Sequence, residues 1–425
     1  MAAKTLLDCS EDLLLSVLDF LSFGDLLSMS IVNKYIHTLT RPHLYSKVKT
    51  TWALNHTPPV SLLLRSILDA PELSSYVRSL RLVGHEFHEN PGLKEPPACP
   101  IATSSLSKAS KLIQRTRVPF AKLWIDELQS GTVDAVVAVL LLLLPNLRSL
   151  HLGPNFTIHS RLLGNLLQYA LCKPSKEYQL PTFENLSSIT FCRRAKEHRH
   201  LTANNTADPA HTPTPSSLVS LEVYRLREAQ LKQLLSVVKG LQKLHWHWFY
   251  QLDLNPDVSR NVVELDTIAA ALNQARDTLT DLTIDAETCP KLLVGDYDPP
   301  TLEMRASLDD LVHMGKLRRL SVPWVFLMGF SVPSAKKLAD SLPLSLELLI
   351  LTANLDDNDD WEWDDDSIVS AVKSGLEDRA VLRLTKPRRI ILPSPLEYGD
   401  IADERREELR YIGANAGLEL GWTDK

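Results

Sequence analysis

The chain of 425 residues is long enough to bury a sizeable core, and its composition of 44% hydrophobic and 23% charged residues is ordinary for a globular protein. Its formal net charge of -6 provides no overall positive field, so neither nucleic acid nor an anionic membrane surface is an expected partner. The longest apolar run, residues 135–144, is too short for a membrane span of about 20 residues and predicts a buried helix.

The cysteines and the N-terminus predict a cytoplasmic or nuclear protein. Five cysteines are dispersed along the chain, without a CxxC pair or a spacing typical of zinc ligands. The first residues carry carboxylates before the apolar stretch, unlike a signal peptide. Reduced thiols, no metal and no cofactor are therefore expected.

The first fifty residues predict three short helices. Ser10 is followed by two carboxylates and by apolar residues at helical spacing, so its hydroxyl is expected to cap the first helix. Asp25 is expected to cap the second, and a third is expected to start near Thr40 with Pro42 in its first turn. Helices this short and this rich in leucine indicate that another protein completes their apolar surface; the alternative is packing on the rest of this chain.

This N-terminal stretch resembles an F-box. The residues that carry the resemblance are LDCSEDLLLSVLDFL at 7–21, DLLSMSIVNK at 25–34 and RPHLY at 41–45. The similarity covers residues 6 to 48 and is strongest to fungal F-box proteins, in which a long irregular leucine-rich body follows the box. Cys9-Ser10 stands where the family has Leu-Pro.

The resemblance implies an F-box domain over residues 1–50 that binds the Skp-type adaptor of a cullin–RING ubiquitin ligase. Some of the apolar residues carried over by position must instead hold the three helices together. The implied adaptor contacts are Leu13, Leu14, Val17, Leu18, Leu21, Leu26 and Leu27.

A repeated pattern runs through residues 51–425. It consists of an apolar residue, two others, leucine, one other and an apolar residue, and its nine copies begin at residues 77, 120, 147, 186, 218, 241, 279, 317 and 346, with isoleucine in place of the central leucine in the copy at 186. Helical patterns lie between the copies, so strands and helices alternate as in a parallel α/β array. The central leucines are 23 to 43 residues apart, against about 20–29 in regular leucine-rich repeats. The pattern predicts an irregular leucine-rich-repeat-like solenoid, or horseshoe.

In such a strand the residue between the last two apolar positions points away from the core, onto the concave face of the horseshoe. The mixture of charges, imidazoles and an aromatic residue there suits a protein or peptide ligand better than a nucleic-acid backbone. The predicted concave residues are Arg81, Trp124, His151, Thr190, Glu222, His245, Thr283, Ser321 and Ile350, together with His247, which shares a face with His245.

The hexapeptide HWHWFY at 245–250 is the most unusual local sequence. Two histidines can bind zinc, but a structural site normally needs four ligands and no further Cys or His cluster is nearby, so no metal is predicted. An aromatic-rich binding hot spot is one alternative. Core packing with ordinary exposed histidines is the other.

Two charged segments predict mobile loops. A basic run at 193–200, with polar sequence to 215, is typical of a solvated insertion, a nuclear-import signal or an anion site. The acidic stretch at 356–366, within a predicted loop over 353–366, lacks the Gly and Glu of an EF-hand. Trp361 and Trp363 in that stretch must be buried or meet a ligand, for which a basic partner segment is a candidate.

No motif of a known catalytic site occurs in the sequence. The chain is therefore predicted to be non-enzymatic. The F-box resemblance implies that it is the substrate-recognition subunit of an SCF-type ubiquitin ligase, linked through the adaptor to a cullin. One alternative is an interaction scaffold with a degenerate F-box and no ligase role. The other is an enzyme without a recognisable motif.

Overall fold

The computed structural model is a mixed α/β structure with parallel strands. Its described residues form two compact units, one extending to Phe191 and the other beginning at Leu218. Within these residues no helix has the length and apolar character needed to cross a membrane. The described residues are 9–53, 56, 58–85, 98–157, 160–172, 177–191, 218–251, 259–289, 301–332, 338–377, 389–393, 403–415 and 417–422.

The first unit contains a parallel sheet of strands β1 to β4, which pair in chain order. Its strands are β1 Lys47–Ala53, β2 Ser79–His85, β3 Ser149–Leu152 and β4 Ser188–Phe191. Its helices are α1 Glu11–Leu18, α2 Phe23–Ser30, α3 Lys34–Ser46, α4 Pro59–Asp69, α5 Thr103–Thr116, α6 Ala121–Ser130, α7 Val133–Leu142, α8 Pro154–Thr157 and α9 Arg161–Leu167, with a 3₁₀ turn at Pro71–Ser75 and a π turn at Gln168–Cys172.

The three predicted N-terminal helices are present, but they begin differently. Ser10 is the N-cap residue of α1 without a side-chain hydrogen bond, and α2 begins in a capping box between Ser22 and Asp25. Helix α3 starts well before Thr40, because the Asn33 side chain accepts a hydrogen bond from the Ile36 amide at 2.8 Å. Pro42 therefore lies inside α3 and not in its first turn.

The segment beginning at Phe120 was predicted as a strand, and this prediction is wrong. It forms α6, and Trp124 is buried instead of lying on an exposed strand face. The indole of Trp124 donates a hydrogen bond to the Ala135 carbonyl at 3.1 Å. Trp124 and buried Leu128 are four residues apart, which places them on the same face of a helix. The segment matches the short strand pattern only by chance.

Asp134, in the first turn of α7, is a buried carboxylate that caps another helix. Its two carboxylate oxygens accept hydrogen bonds from the amides of Leu162 and Leu163, at 2.7 and 3.0 Å, at the start of α9. Burial raises the pKa of Asp134 to about 7, although the two amide hydrogen bonds act in the opposite direction. Between about pH 4 and pH 7 this carboxyl is therefore mostly protonated in the folded state and ionised in the unfolded state.

Replacing Asp134 with Asn is expected to remove a pH dependence of stability. Because the folded pKa lies above the unfolded value, this group's contribution to stability is full below pH 4 and is lost as the pH rises through about 7. Between pH 4.5 and 8 the free energy of unfolding should shift in favour of Asp134→Asn over the parent by about 3 kcal/mol. Urea unfolding of both proteins at the two pH values measures the shift, and parallel pH profiles would contradict it.

The second unit contains seven parallel strands in the order β5-β6-β8-β10-β11-β12-β13, and a separate parallel pair, β7 and β9. Its strands are β5 Ser220–Tyr224, β6 Lys243–Gln251, β7 Val262–Glu264, β8 Asp281–Cys289, β9 Glu303–Arg305, β10 Arg319–Pro323, β11 Leu348–Thr352, β12 Arg389–Leu392 and β13 Glu419–Trp422. Its helices are α10 Glu228–Val237, α11 Leu265–Leu272, α12 Trp324–Met328, α13 Asp365–Glu377 and α14 Asp403–Asn415, with 3₁₀ turns at Asn273–Ala275, Asp309–His313 and Leu338–Ser341.

A row of aligned leucines forms the core side of this second sheet. The central leucines of five successive predicted repeats occupy the same register and are all buried, so each strand turns its other face away from the core. They are Leu221, Leu244, Leu282, Leu320 and Leu349. Across both units, eight of the nine predicted repeat segments form strands.

The acidic segment 353–366, predicted as a mobile loop, packs within the second unit through its tryptophans. Trp363 is buried, its indole donates to the Gly329 carbonyl at 2.8 Å, and its ring lies edge-on to Trp324 at a centroid distance of 5.0 Å. The Trp361 indole donates to the Trp363 carbonyl at 2.7 Å. The predicted basic loop at 193–215 lies outside the described residues.

Candidate functional site

Strands β5, β6 and β8 present polar side chains on the face opposite the leucine row. Parallel pairing places residues of the same register side by side on adjacent strands, about 4.8 Å apart. The aligned residues are Glu222, His245 and Thr283 in one row, and Tyr224, His247 and Asp285 in the next. We call Glu222, Tyr224, His245, His247 and Asp285 the His–carboxylate cluster.

Two buried tryptophans fix the orientation of β6. Trp246 and Trp248 alternate with the histidines and point to the core side. Their indoles donate hydrogen bonds to the Leu226 carbonyl and to the Glu228 carboxylate, each at 2.8 Å. Because side chains alternate along a strand, this anchoring turns His245 and His247 together onto the polar face.

Each imidazole of the cluster lies between two carboxylates. For His245, Nε2 is 2.5 Å from Asp285 Oδ2 and Nδ1 is 3.4 Å from Glu222 Oε1. For His247, Nδ1 is 3.2 Å from Asp285 Oδ2 and Nε2 is 3.8 Å from Glu222 Oε1. The His247 Nε2 atom is buried and has no hydrogen-bond partner.

Tyr224 supports the cluster from its edge. Its ring stacks on the His247 imidazole at a centroid distance of 3.6 Å, with the planes 8° apart. Its hydroxyl donates a hydrogen bond to Glu222 Oε1 at 2.7 Å. One aromatic side chain therefore constrains both an imidazole and a carboxylate.

Opposing effects act on the protonation of His245. Partial burial lowers its pKa, but hydrogen bonds to Asp285 and Glu222, together with the negative charges of these groups, outweigh burial and raise the pKa to about 9. In the absence of another cation, His245 is therefore an imidazolium that bridges the two carboxylates at neutral pH.

A groove with a volume of about 390 Å³ adjoins the cluster on the same face, with Glu222 and His245 in its wall. Its wall also contains Lys243, Asp281 and Arg319, and Arg319 pairs with Asp281 at 3.5 Å. Charges of both signs stand beside backbone and hydroxyl groups. The groove can therefore accept a ligand that carries both acidic and basic groups, such as a polypeptide.

The structure brings some predicted concave-face residues together and separates others. Glu222, His245, Thr283, Ser321 and Ile350 line the groove, and His247 lies beside it in the cluster. In the first unit, Arg81, His151 and Thr190 share one register row on β2, β3 and β4. Trp124 is buried in α6 and belongs to no strand face.

The predicted adaptor contacts divide into three groups by burial. Leu14, Leu18 and Leu26 form a small core with Leu39, so their assignment to an adaptor surface is corrected. Leu21 is partly buried against that core. The remaining predicted contacts, Leu13, Val17 and Leu27, are exposed, as are five apolar residues that the prediction omitted: Phe20, Phe23, Ile31, Val32 and Tyr35.

Asp285 and Tyr224 are the cluster residues that the sequence prediction missed. Each stands two positions after a residue assigned to the polar face, Thr283 and Glu222. Extending the alternation of these strands by two residues would have found both. A search for Cys or His near residues 245–247 misses them, because they are Asp and Tyr and lie on the neighbouring strands β5 and β8.

Comparison with known proteins assigns this chain to no family. No family model matches the chain, and no curated protein matches it. Its class is therefore defined by its own architecture: a mixed α/β protein with parallel strands, exposed apolar side chains on three N-terminal helices and their connecting turns, and a His–carboxylate cluster on a strand face.

Truncation of Trp246 is expected to destabilise the second unit strongly. Trp246→Ala removes a fully buried indole and should lower the free energy of unfolding by about 3–5 kcal/mol. Trp246→Phe keeps most of the volume but loses the hydrogen bond to Leu226, so its cost should be smaller. Urea unfolding followed by circular dichroism compares the two variants, and equal small costs would show that β6 does not depend on this anchor.

Proposed function

We propose that this protein is the substrate-recognition subunit of an SCF-type cullin–RING ubiquitin ligase. Its three N-terminal helices bind the Skp-type adaptor, and a leucine-rich-repeat-like horseshoe formed by the rest of the chain holds a protein substrate. The protein contributes proximity between substrate and ligase, and no chemistry of its own. Such a ligase subunit acts in the cytoplasm or the nucleus.

The observation that carries the proposal is a concentration of exposed apolar side chains on α1 to α3 and in the turns that connect them. Thirteen large hydrophobic residues are exposed within the described part of the chain, and eight of them lie between Leu13 and Tyr35. Ile31 is 82% exposed and Phe20 is 91% exposed. Apolar residues grouped so densely on a soluble surface mark a protein interaction site.

The internal packing of the same helices supports a docking role. Leu14, Leu18, Leu26 and Leu39 form a core between the helices, so the exposed side chains are not needed to hold them together. The capping box of α2 and the Asn33 cap of α3 fix the residues at which these helices begin. The exposed side chains are therefore presented on a structure that is already ordered, which lowers the entropy cost of binding.

The expected gain from covering this surface is substantial. Burying one large apolar side chain fully contributes about 1.5–3 kcal/mol. Eight side chains that are between 44% and 91% exposed could therefore provide on the order of 10 kcal/mol before the cost of association is subtracted. A stable complex with an adaptor is consistent with this magnitude.

The second unit provides a surface suited to a polypeptide substrate. Its parallel strands and aligned leucine row support a leucine-rich-repeat-like body, in which the polar strand face is the binding face. The groove beside the His–carboxylate cluster carries both charge signs, which complements the mixed charges of a polypeptide. The alternative, a scaffold without a ligase role, is favoured by Cys9-Ser10 in the place of the family's Leu-Pro.

The test is binding of the full chain to a purified Skp-type adaptor. Leu13→Asp with Leu27→Asp changes two exposed side chains, 59% and 52% accessible, and should weaken binding about 100-fold or more. Leu62→Asp is the matched control, because Leu62 is equally exposed at 54% on α4, outside the three helices. Affinities are measured by calorimetry, and circular dichroism verifies that each variant is folded.

The outcomes separate the two functions. Binding by the parent and by Leu62→Asp, with loss in the double variant, supports the ligase subunit. No binding by the folded parent chain rejects it in favour of the scaffold. Equal loss in Leu62→Asp would show that the contact does not depend on the three helices.

A further inference from the structure

Three potential metal-ligand atoms converge on the polar face of the second unit. Glu222, His245 and His247 each offer one ligand atom, and these atoms lie within 4.8 Å of one another. Glu222 Oε1 is 3.4 Å from His245 Nδ1 and 3.8 Å from His247 Nε2. A tetrahedral zinc ion with bonds of 2.0–2.1 Å places its ligands about 3.3 Å apart, so small side-chain shifts would suffice.

The opposite nitrogens of both imidazoles meet one carboxylate. Asp285 Oδ2 lies 2.5 Å from His245 Nε2 and 3.2 Å from His247 Nδ1. Histidines that bind a metal almost always donate their other ring N–H to a carboxylate, a carbonyl or water, which fixes the tautomer and the ring orientation. Asp285 occupies that position for both rings at once.

The remaining features fit the same interpretation. The Tyr224 hydroxyl holds Glu222 Oε1, and the Tyr224 ring holds the His247 imidazole. His247 Nε2 is buried without a hydrogen bond, which is costly for a polar atom and would be relieved by coordination. Two imidazoles and one carboxylate are a ligand set used for Zn²⁺ and related divalent metals.

We propose that Glu222 Oε1, His245 Nδ1 and His247 Nε2 bind a divalent transition-metal ion, Zn²⁺ foremost, with Asp285 as the carboxylate that orients both imidazoles. Three protein ligands leave a fourth position for water or for a group of a bound ligand. Since Glu222 and His245 also line the groove, the ion organises the wall of that groove. The proposal does not depend on the ligase function.

The competing account is a metal-free ion-pair cluster, in which His245 alone bridges the two carboxylates. In this account no metal binds, and the buried His247 Nε2 remains without a hydrogen bond. The two accounts differ in whether the folded chain binds one equivalent of metal at these residues.

The experiment uses the full, untagged chain after removal of metals by chelation. Zn²⁺ is titrated by calorimetry, and Co²⁺ is added as a spectroscopic probe of the ligand set. We expect one Zn²⁺ per chain with micromolar or tighter affinity, and visible Co²⁺ bands without the near-ultraviolet absorption of a thiolate ligand.

The variants assign the site. His247→Ala and Glu222→Gln should each weaken Zn²⁺ binding at least about 100-fold, and Asp285→Asn about 10- to 100-fold through loss of imidazole orientation. His313→Ala is the matched control, because His313 is exposed and remote in sequence from the cluster, and it should leave the affinity unchanged. Circular dichroism shows which variants remain folded, and Glu222→Gln serves if His247→Ala does not fold.

Three results would overturn the proposal: no Zn²⁺ binding by the folded parent, unchanged binding in both folded ligand variants, or a cobalt spectrum with thiolate absorption. The first would establish the cluster as an ion-pair network. The second and third would place the metal at other residues.

Discussion

The burial of one leucine per strand, in register across parallel strands, is the constraint on which the second unit depends. Leu221, Leu244 and Leu282 are 3% exposed or less, and they occupy the same row of the sheet. Because side chains alternate along a strand, this row determines which residues reach the other face. A slip of one residue would turn His245 into the core and Trp246 into solvent. The geometry of the His–carboxylate cluster is therefore a consequence of core packing.

The sequence predicted the centres of most strands because they carry this leucine pattern. It failed where the pattern was absent or ambiguous. Strand β1 has mostly exposed or half-exposed residues, with only Trp52 buried, and β13 contains Gly421, so neither shows the repeat. The segment around Trp124 shows it but follows helical spacing as well, and there the longer helix with its buried indole prevailed.

The three N-terminal helices show a second limit of prediction from apolar periodicity. Their existence follows from apolar periodicity, but the role of each leucine does not. Leu13 is exposed and Leu14 is buried, and the same division separates Leu27 from Leu26. Neighbours on a helix point about 100° apart, so a run of leucines spans both the core and the surface. Only the packing of α1 against α2 and α3 decides which side chain remains available for a partner.

The acidic segment illustrates competition between charge and burial. Its carboxylates predict an extended, solvated chain, whereas two indoles favour burial. The structure combines both: Trp363 is 2% exposed against Trp324, while Asp359 and Asp360 remain in solvent. Burial of an indole with its hydrogen bond satisfied outweighs repulsion between carboxylates that water screens.

The His–carboxylate cluster follows a different balance. Two carboxylates and two imidazoles are held at partial burial, where each polar group needs a partner. A strand face needs no such arrangement for stability, because the leucine row already provides the core. Departures from the simplest stable sequence are expected at functional sites. The cluster meets that description, since His247 Nε2 is buried without a hydrogen bond while Tyr224 holds the His247 ring and the Glu222 carboxylate in place.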